Sequence, residues 1–287
     1  MSLEVSGVTA PVNKIIPFSS VDGPGNRTAV FLQGCNFDCQ YCHNPETRNM
    51  CINCMACVAK CPTGALSEKA GKVYFDFEKC VSCDTCIKTC QHGASPRIRE
   101  MTPKQVFDEV KKQMPFIRGV TISGGECTLN PVFIREFFSL CKEAGLGTLI
   151  DSNGTYDFEA DPCDLLSVSD GVMLDVKAWS ETDHDIVCKA ANEIVKKNLC
   201  YLASIGKLYE VRTVVVPELY NVKETVEKVC EVIVKYLPVS DIRYKIITYR
   251  PMGVREEYQT LRSPSKEYMK ELELIAKNRG VKTVVIV

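Results

Sequence analysis

The sequence predicts an α/β fold, a partial barrel interrupted by a small cysteine-rich insert. Three observations predict it. From residue ~100 onward, apolar runs of strand length alternate with runs of helix length, a pattern that builds right-handed βαβ units and a parallel sheet. About six runs have the character of barrel strands, fewer than the eight that close a full barrel. Between residues 50 and 98 the alternation stops and cysteine becomes dense. The expected architecture is therefore a partial, TIM-like (β/α)6 barrel formed by residues 1–49 and 99–287, with residues 50–98 inserted as a separate unit. A chain of 287 residues suits one domain of this class.

Each element follows from local chemistry. Residues 13–34 read as an opening strand and loop, with turn residues at Val21-Asp22-Gly23-Pro24-Gly25. Thr28–Leu32 is a short apolar run bounded by Gly34, hence a buried strand. Thr102 caps a helix running to about Gln113, with Pro103 at its first position. Gly119–Ser123 is a strand. Pro131–Glu143 is a helix with Phe133, Ile134, Phe137, Phe138 and Leu140 on its apolar face. Thr148–Asp151 and Val172–Val176 are strands, and helices fill ~183–205. Val211–Val216 is a strand stopped by Pro217, and Val222–Tyr236 a helix. Ile242–Thr248 is a strand, Ser265–Lys277 a helix and Val281–Val287 the last strand. In such sheets functional side chains gather at the C-terminal ends of the strands.

Composition narrows the function. Net charge is −1, with basic residues dispersed, which gives no footprint for nucleic acid or an anionic membrane. Lys111-Lys112 and Lys196-Lys197 read as solvated helix faces. No apolar stretch approaches the ~18 residues of a membrane span, and the N-terminus carries no recognisable export signal. Seventeen cysteines without export indicate metal or redox chemistry rather than disulfides. The expected location is an anaerobic cytoplasm.

Eleven of those cysteines fall in three motifs. Cys35, Cys39 and Cys42 are spaced x3, x2. Three thiolates on a 4Fe–4S cube leave one iron without a protein ligand, able to bind a small molecule. A zinc site would need a distant fourth ligand, with only His43 nearby, and x3 is an awkward zinc spacing. Two further runs, Cys51, Cys54, Cys57, Cys61 and Cys80, Cys83, Cys86, Cys90, are spaced x2, x2, x3. They form a repeat with an offset of 80 − 51 = 29 positions. This is the bacterial ferredoxin run, in which the fourth cysteine ligates the other cluster. One cluster is therefore assigned to Cys51, Cys54, Cys57 and Cys90, the other to Cys80, Cys83, Cys86 and Cys61. Pro62 fits the pattern and Gln91 departs from it. Fully ligated clusters suit electron transfer or structural stabilisation. The insert is thus read as bacterial-ferredoxin-like, and ~50 residues bury little core without such support. Cys141, Cys163, Cys188, Cys200 and Cys230 are expected to be buried small hydrophobes.

The Cys-x3-Cys-x-aromatic-Cys motif, with Tyr41 in the aromatic place, resembles the radical S-adenosylmethionine enzymes. Val21–Gly25, Arg27, Phe31–Cys35 and Cys42-His43-Asn44-Pro45 look like the glycyl-radical-enzyme activating enzymes, and Ile15–Ser19 like their YjjW-type branch. The resemblance implies an oxidoreductase in which S-adenosylmethionine chelates the open iron and is cleaved reductively. The 5′-deoxyadenosyl radical then takes a hydrogen from a glycine Cα of a partner glycyl-radical enzyme. It implies cofactor contacts at Gly124, Gly125 and Glu126, where the family has Pro in place of Cys127, and at Lys177 and Arg212. It also implies a monovalent cation beside Asp151, Asp175 and the Met173 carbonyl, and a flavodoxin- or ferredoxin-type electron donor. Arg250 stands where the family has a histidine. From residues alone, Ser123–Glu126 could be an ordinary β-to-α turn, and Asp175–Lys177 a strand-end ion pair of little worth. Alternatives to the activase are a radical enzyme acting on a small molecule or another peptide residue, and a ferredoxin-like carrier. The barrel motifs oppose the carrier. The Asp22–Gly25 and Cys42–Pro45 stretches, and no added C-terminal domain, oppose the other radical enzymes.

Overall fold

The computed structural model describes residues 7–287; residues 1–6, where the absence of an export signal and the start of the barrel were read, lie outside the described residues. The chain divides into two compact units, one holding the residues up to Asn36 and Asn44–Ala144, the other Phe37–His43 and Gly145–Val287.

The first unit contains strands β1 (Ala10–Ser19), β2 (Arg27–Leu32), β3 (Leu66–Lys69), β4 (Lys72–Phe75), β5 (Arg99–Met101) and β6 (Gly119–Gly124). Its helices are α1 (Thr85–Thr89), α2 (Pro103–Lys111) and α3 (Pro131–Glu143). β1 lies antiparallel between β2 and β5, and β2 pairs in parallel with β6. β2 and β6 are buried along most of their length, as parallel strands covered on both faces should be. Buried Arg27 joins them: its Nε donates to Thr121 Oγ1 (2.8 Å) and its Nη2 to the Val120 carbonyl (2.6 Å). α2 starts on a capping box, with the Gln105 amide donating to Thr102 Oγ1 and the Thr102 amide to Gln105 Oε1. α3 buries Phe133, Ile134, Phe137, Phe138 and Cys141.

The cysteine-rich segment carries more regular structure than its composition suggests, with a β3–β4 hairpin and the short α1. Its own core is small: Cys57, Leu66 and Cys86, with Val58, Cys61, Val73, Phe75 and Ile87 packed around them. The backbone is unusual here. Asn53, Met55, Ser82 and Asp84 have positive φ. They form two pairs at the same 29-residue offset, flanking Cys54 and Cys83. Such conformations cost on the order of 1–3 kcal/mol each outside glycine and persist only where the surroundings enforce them.

The second unit alternates β7 (Gly147–Ser152), α4 (Leu165–Val168), β8 (Gly171–Asp175), α5 (Glu181–Cys188), α6 (Glu193–Ser204), β9 (Leu208–Val215), α7 (Val222–Ile233), β10 (Arg243–Thr248), α8 (Lys266–Asn278) and β11 (Thr283–Ile286). Its five strands are parallel and ordered β7-β8-β9-β10-β11, so this part is the expected mostly parallel α/β sheet. Ser180, Asn221 and Ser265 cap α5, α7 and α8 by accepting from backbone amides in the first turn. The helical stretch read over ~183–205 is two helices, because the chain leaves α5 through Lys189 in a left-handed conformation, φ +57°. α7 stops at Ile233 and a 3-10 turn carries the chain to Tyr236. Among the described residues, no helix is long and apolar enough to cross a membrane.

Candidate functional site

In the first unit the end of β2 leads directly into Cys35. Two contacts hold this junction. The returning chain receives it, with Gly34 N–H donating to the Thr47 carbonyl (2.8 Å) and Cys35 N–H to the Arg48 carbonyl (2.9 Å). The buried Gln33 carboxamide adds donor bonds of 2.7 Å to the Glu46 and Asn49 carbonyls and accepts from Asn13. The end of β6 also passes very close. Gly125 N–H donates to the Leu32 carbonyl (2.9 Å) and Glu126 N–H to the Gly34 carbonyl (2.7 Å). A methyl on Gly124, whose φ is +139°, would overlap the Leu32 carbonyl, and one on Gly125 would overlap the Gly34 carbonyl. The two glycines are therefore required by the close pass of one backbone over another. Glu126 is buried, and its carboxylate accepts from the Thr128 amide (3.0 Å) and hydroxyl (2.6 Å), which ties the side chain to the following turn. Cys127 is fully buried, with its Sγ 3.7 Å from the Ile122 carbonyl, and acts as a small packed side chain.

The second unit holds Cys39, Tyr41 and Cys42. The amides on either side of Cys39 are both tied: Asp38 N–H donates to the Cys188 carbonyl and Gln40 N–H to the Val187 carbonyl, each at 2.9 Å. Arg255 pairs with Asp38 (2.7 Å) and donates to the Cys39 carbonyl (3.3 Å). Cys39 Sγ lies 3.8 Å from Cys188 Sγ. His43 is occupied elsewhere: its Nε2–H donates to the Arg250 carbonyl (2.8 Å) and its ring stacks on Tyr249. Arg250 thus serves this loop through its backbone, and its side chain is exposed.

Tyr41 is almost wholly buried, and among the described residues its hydroxyl has no hydrogen-bond partner. The Lys177 ammonium sits 5.9 Å from the centre of the Tyr41 ring and pairs with Asp175 at 2.7 Å. Burial alone would depress the Lys177 ammonium, but Asp175, Cys39 and Tyr41 outweigh it and hold its pKa well above the ordinary lysine value. The pair is mostly shielded from water, with side chains 12% and 29% exposed, so it differs from a solvated surface ion pair. Arg212 lies opposite Asp175 in the β8–β9 register. Its guanidinium binds Asp151 (2.9 Å), Glu210 (2.7 Å) and the Met173 sulfur (3.0 Å). The structure therefore brings together Asp175 with Lys177, and Asp151 with Arg212.

The eight cysteines of the repeat line two cavities. Cys80, Cys83 and Cys86 share one with Cys61. Cys51, Cys54 and Cys57 share the other with Cys90. The fourth cysteine of each run has crossed to the other cavity. Among the described residues, no three His, Cys, Asp or Glu side chains close on a point that one metal ion would occupy. Backbone amides of Ser82 and Ala94 point at the Cys80 and Cys90 sulfurs, each at 3.4 Å. The Thr85 hydroxyl holds the Cys83 thiol below its ordinary pKa, and burial pushes Cys57 up to about 11. Arg97 reaches into the first cavity while pairing with Asp84 (2.8 Å).

Of the remaining cysteines, Cys141, Cys188 and Cys230 are buried, as expected. Cys163 is half-buried and Cys200 exposed. Cys200 falls on the outward side of α6, whose buried residues are Val195, Asn198, Leu199, Leu202 and Ala203. The apolar neighbours in sequence did not reveal which helix face it takes. Cys188, the Val187 carbonyl and Arg255 serve the Cys39 loop without having been identified from sequence, because no local spacing links them to it.

Residues 29–233 match the family model of the Radical SAM superfamily. The chain is 32% identical to the pyruvate formate-lyase-activating enzyme of Streptococcus mutans, over 86% of its own length and 80% of that protein. It is 32% identical to the (2S)-3-sulfopropanediol sulfolyase activating enzyme of Bilophila wadsworthia, over 85% and 86%. It is 27% identical to the indoleacetate decarboxylase activating enzyme of Tractidigestivibacter scatoligenes, over 99% and 100%. Among solved structures, QueE from Escherichia coli superposes with TM-score 0.52 at 12% identity, covering 100% of this chain and 99% of that one. SuiB of Streptococcus suis bound to S-adenosylmethionine gives 0.55 at 12% identity, covering 89% and 48%. These likenesses show the fold alone, an α/β partial barrel with a mostly parallel sheet.

The glycine junction yields a test. Gly125→Ala should destabilise the protein by about 1–3 kcal/mol, the usual range when a methyl is forced into a filled space. Gly64→Ala, where nothing lies within 4 Å of the added methyl, meets only backbone strain and should lose less. Urea unfolding of both variants checks this; equal losses would contradict the steric account.

Proposed function

This chain belongs to the Radical SAM superfamily, alongside the glycyl-radical enzyme activating enzymes, and we propose that it installs a glycyl radical in a partner enzyme. It is an enzyme of the activating type, and its family implies a 4Fe–4S cluster and S-adenosylmethionine. Cys35, Cys39 and Cys42 would hold the cluster, which when bound would supply one electron for cleavage of the C5′–S bond of S-adenosylmethionine to methionine and a 5′-deoxyadenosyl group, and the hydrogen atom that group takes up would come from a glycine Cα of the partner. What carries the reading is identity over most of the chain to activating enzymes, together with a three-cysteine loop that offers one thiolate too few for a four-iron cube.

The residues present fit these groups. The unpartnered Tyr41 hydroxyl, buried beside Lys177, leaves a polar atom for a ligand to satisfy. Lys177, held charged, offers its ammonium to the cofactor carboxylate, with Asp175 fixing its position. The Gly124–Glu126 segment, which the family resemblance assigns to the cofactor's amino group, would accept from that group, while the Glu126 carboxylate is engaged by Thr128. Arg212 pairs with Asp151, and Asp151, Asp175 and the Met173 carbonyl would hold a monovalent cation. The two cavities support a pair of auxiliary 4Fe–4S clusters with exchanged fourth ligands, giving residues 50–98 the part of a ferredoxin-like insert. The repeated positive-φ residues beside Cys54 and Cys83 have the backbone cost that ligation would offset. The electron comes from a flavodoxin- or ferredoxin-type donor.

Anaerobic mixing of the reconstituted protein with reductant, S-adenosylmethionine and each glycyl-radical enzyme of the same genome tests the proposal. One partner should develop a persistent doublet electron-paramagnetic-resonance signal; if all stay silent while 5′-deoxyadenosine forms, the activase reading fails. Iron and sulfide analysis should find about twelve irons per chain, from three clusters. Cys90→Ala should damage the cluster of Cys51, Cys54 and Cys57. Loss confined to the cluster of Cys80, Cys83 and Cys86 would contradict the exchange.

A further inference from the structure

We propose that the Cys188 thiol is a positioning residue for the cluster of Cys35, Cys39 and Cys42: it donates a hydrogen bond to the Cys39 thiolate and so raises the readiness of that cluster to accept its electron. The inference rests on the proposed cluster and adds a fourth cysteine, not a ligand, to its surroundings.

The argument begins with the end of α5. The last carbonyls of a helix have no partner within it. Here the chain turns out of the helix at Lys189, φ +57°, with the Lys189 amide donating back to the Asp185 carbonyl. That turn leaves the Val187 and Cys188 carbonyls aimed outward, and both are taken by the cysteine loop, through Gln40 N–H and Asp38 N–H at 2.9 Å each. Cys39 lies between those two amides. Its backbone is thereby clamped on the C-terminal end of α5, and the clamp brings Cys188 Sγ to 3.8 Å from Cys39 Sγ.

Direction follows from chemistry. As an iron ligand Cys39 carries no proton, so only the Cys188 S–H can be the donor. Cys188 is fully buried, as is Val187 beside it on the helix. No water competes for the thiol proton. Hydrogen bonds to the sulfurs of an iron–sulfur cluster, and exclusion of solvent from them, are among the factors that set its reduction potential. Reduction adds one negative charge to the cube, so a donor on a ligand sulfur stabilises the reduced form more than the oxidised one. The need is accentuated here because a helix C-terminus presents partial negative charge, and Cys39 sits against one. The thiol offsets that field at the sulfur itself.

The test uses the full chain, anaerobically reconstituted as native protein, Cys188→Ala and Cys188→Ser. Iron content and circular dichroism confirm matched loading and fold. Potentiometric titration is followed by electron paramagnetic resonance, reading the one reduced-cluster signal that S-adenosylmethionine perturbs. At the potential where the native cluster is half reduced, Cys188→Ala should lower the reduced-to-oxidised ratio about tenfold, equivalent to ~59 mV for one electron. Cys188→Ser, which keeps a donor, should show at least the native ratio. An Ala ratio within about twofold of native overturns the inference, as does a Ser ratio falling as far as the Ala one, which would make the role one of packing. If Cys188→Ala assembles no cluster, Cys188→Ser decides alone, and a ratio below native overturns the inference. Absence of any signal perturbed by S-adenosylmethionine in native protein instead removes the parent reading, and the inference with it.

Discussion

The close pass of the β6 end over the β2 end is the constraint on which the first half of the site depends. Two backbones meet there with no room for a side chain, which is possible only because residues 124 and 125 are glycines. The hydrogen bonds from Gly125 and Glu126 to Leu32 and Gly34 then fix the strand end from which Cys35 emerges. Glu126 continues the same logic, its carboxylate spent on the Thr128 turn that follows. The segment proposed to meet the cofactor is thus also the brace for Cys35. In the second unit the corresponding brace is a helix end: the last carbonyls of α5 hold the amides around Cys39. Both braces act through the backbone amides and carbonyls around the two cysteines.

The cysteine-rich segment follows a different economy. Its apolar core amounts to a few side chains, two of them cysteines, and a segment of ~50 residues with so little buried surface does not hold itself together well. Against that small gain stand the left-handed residues Asn53, Met55, Ser82 and Asp84, repeated at matching places in the two runs. In the proposed function, eight thiolate–iron bonds hold this backbone in place. The two halves would also be interlocked, since each cavity draws its fourth cysteine from the other run. The cavities are not equivalent: Arg97 and Asp84 line one of them, and among the described residues no charged side chain lines the other.

Much of this was legible in the sequence, for physical reasons. β2 and the β7–β11 strands are short apolar runs with clear stops, and α2 carries its Thr102–Gln105 box in plain view. The exchange of Cys61 and Cys90 between cavities followed from the match of each run to the bacterial ferredoxin pattern, whose fourth cysteine serves the other cluster. Other features had no local signal. β5 is three residues long and becomes a strand only by pairing with β1. The Cys39–Cys188 contact joins residues 149 positions apart, so Cys188 read as one more buried hydrophobe. Cys200 looked the same and is exposed, since apolar neighbours do not say which side of α6 it faces. The role of Arg250 could not be read from its side chain, because it is the carbonyl that His43 uses.

The central claim is that the hydrogen atom comes from a glycine Cα of a partner protein. Isotope transfer reads this directly. A glycyl-radical enzyme labelled with deuterium at its glycine Cα positions should be mixed anaerobically with this protein, reductant and S-adenosylmethionine, and the 5′-deoxyadenosine analysed by mass spectrometry. The account predicts one deuterium in the 5′-deoxyadenosine formed with the cognate partner and none with an unlabelled one. Unlabelled 5′-deoxyadenosine from a labelled partner that nevertheless acquires its radical would contradict it.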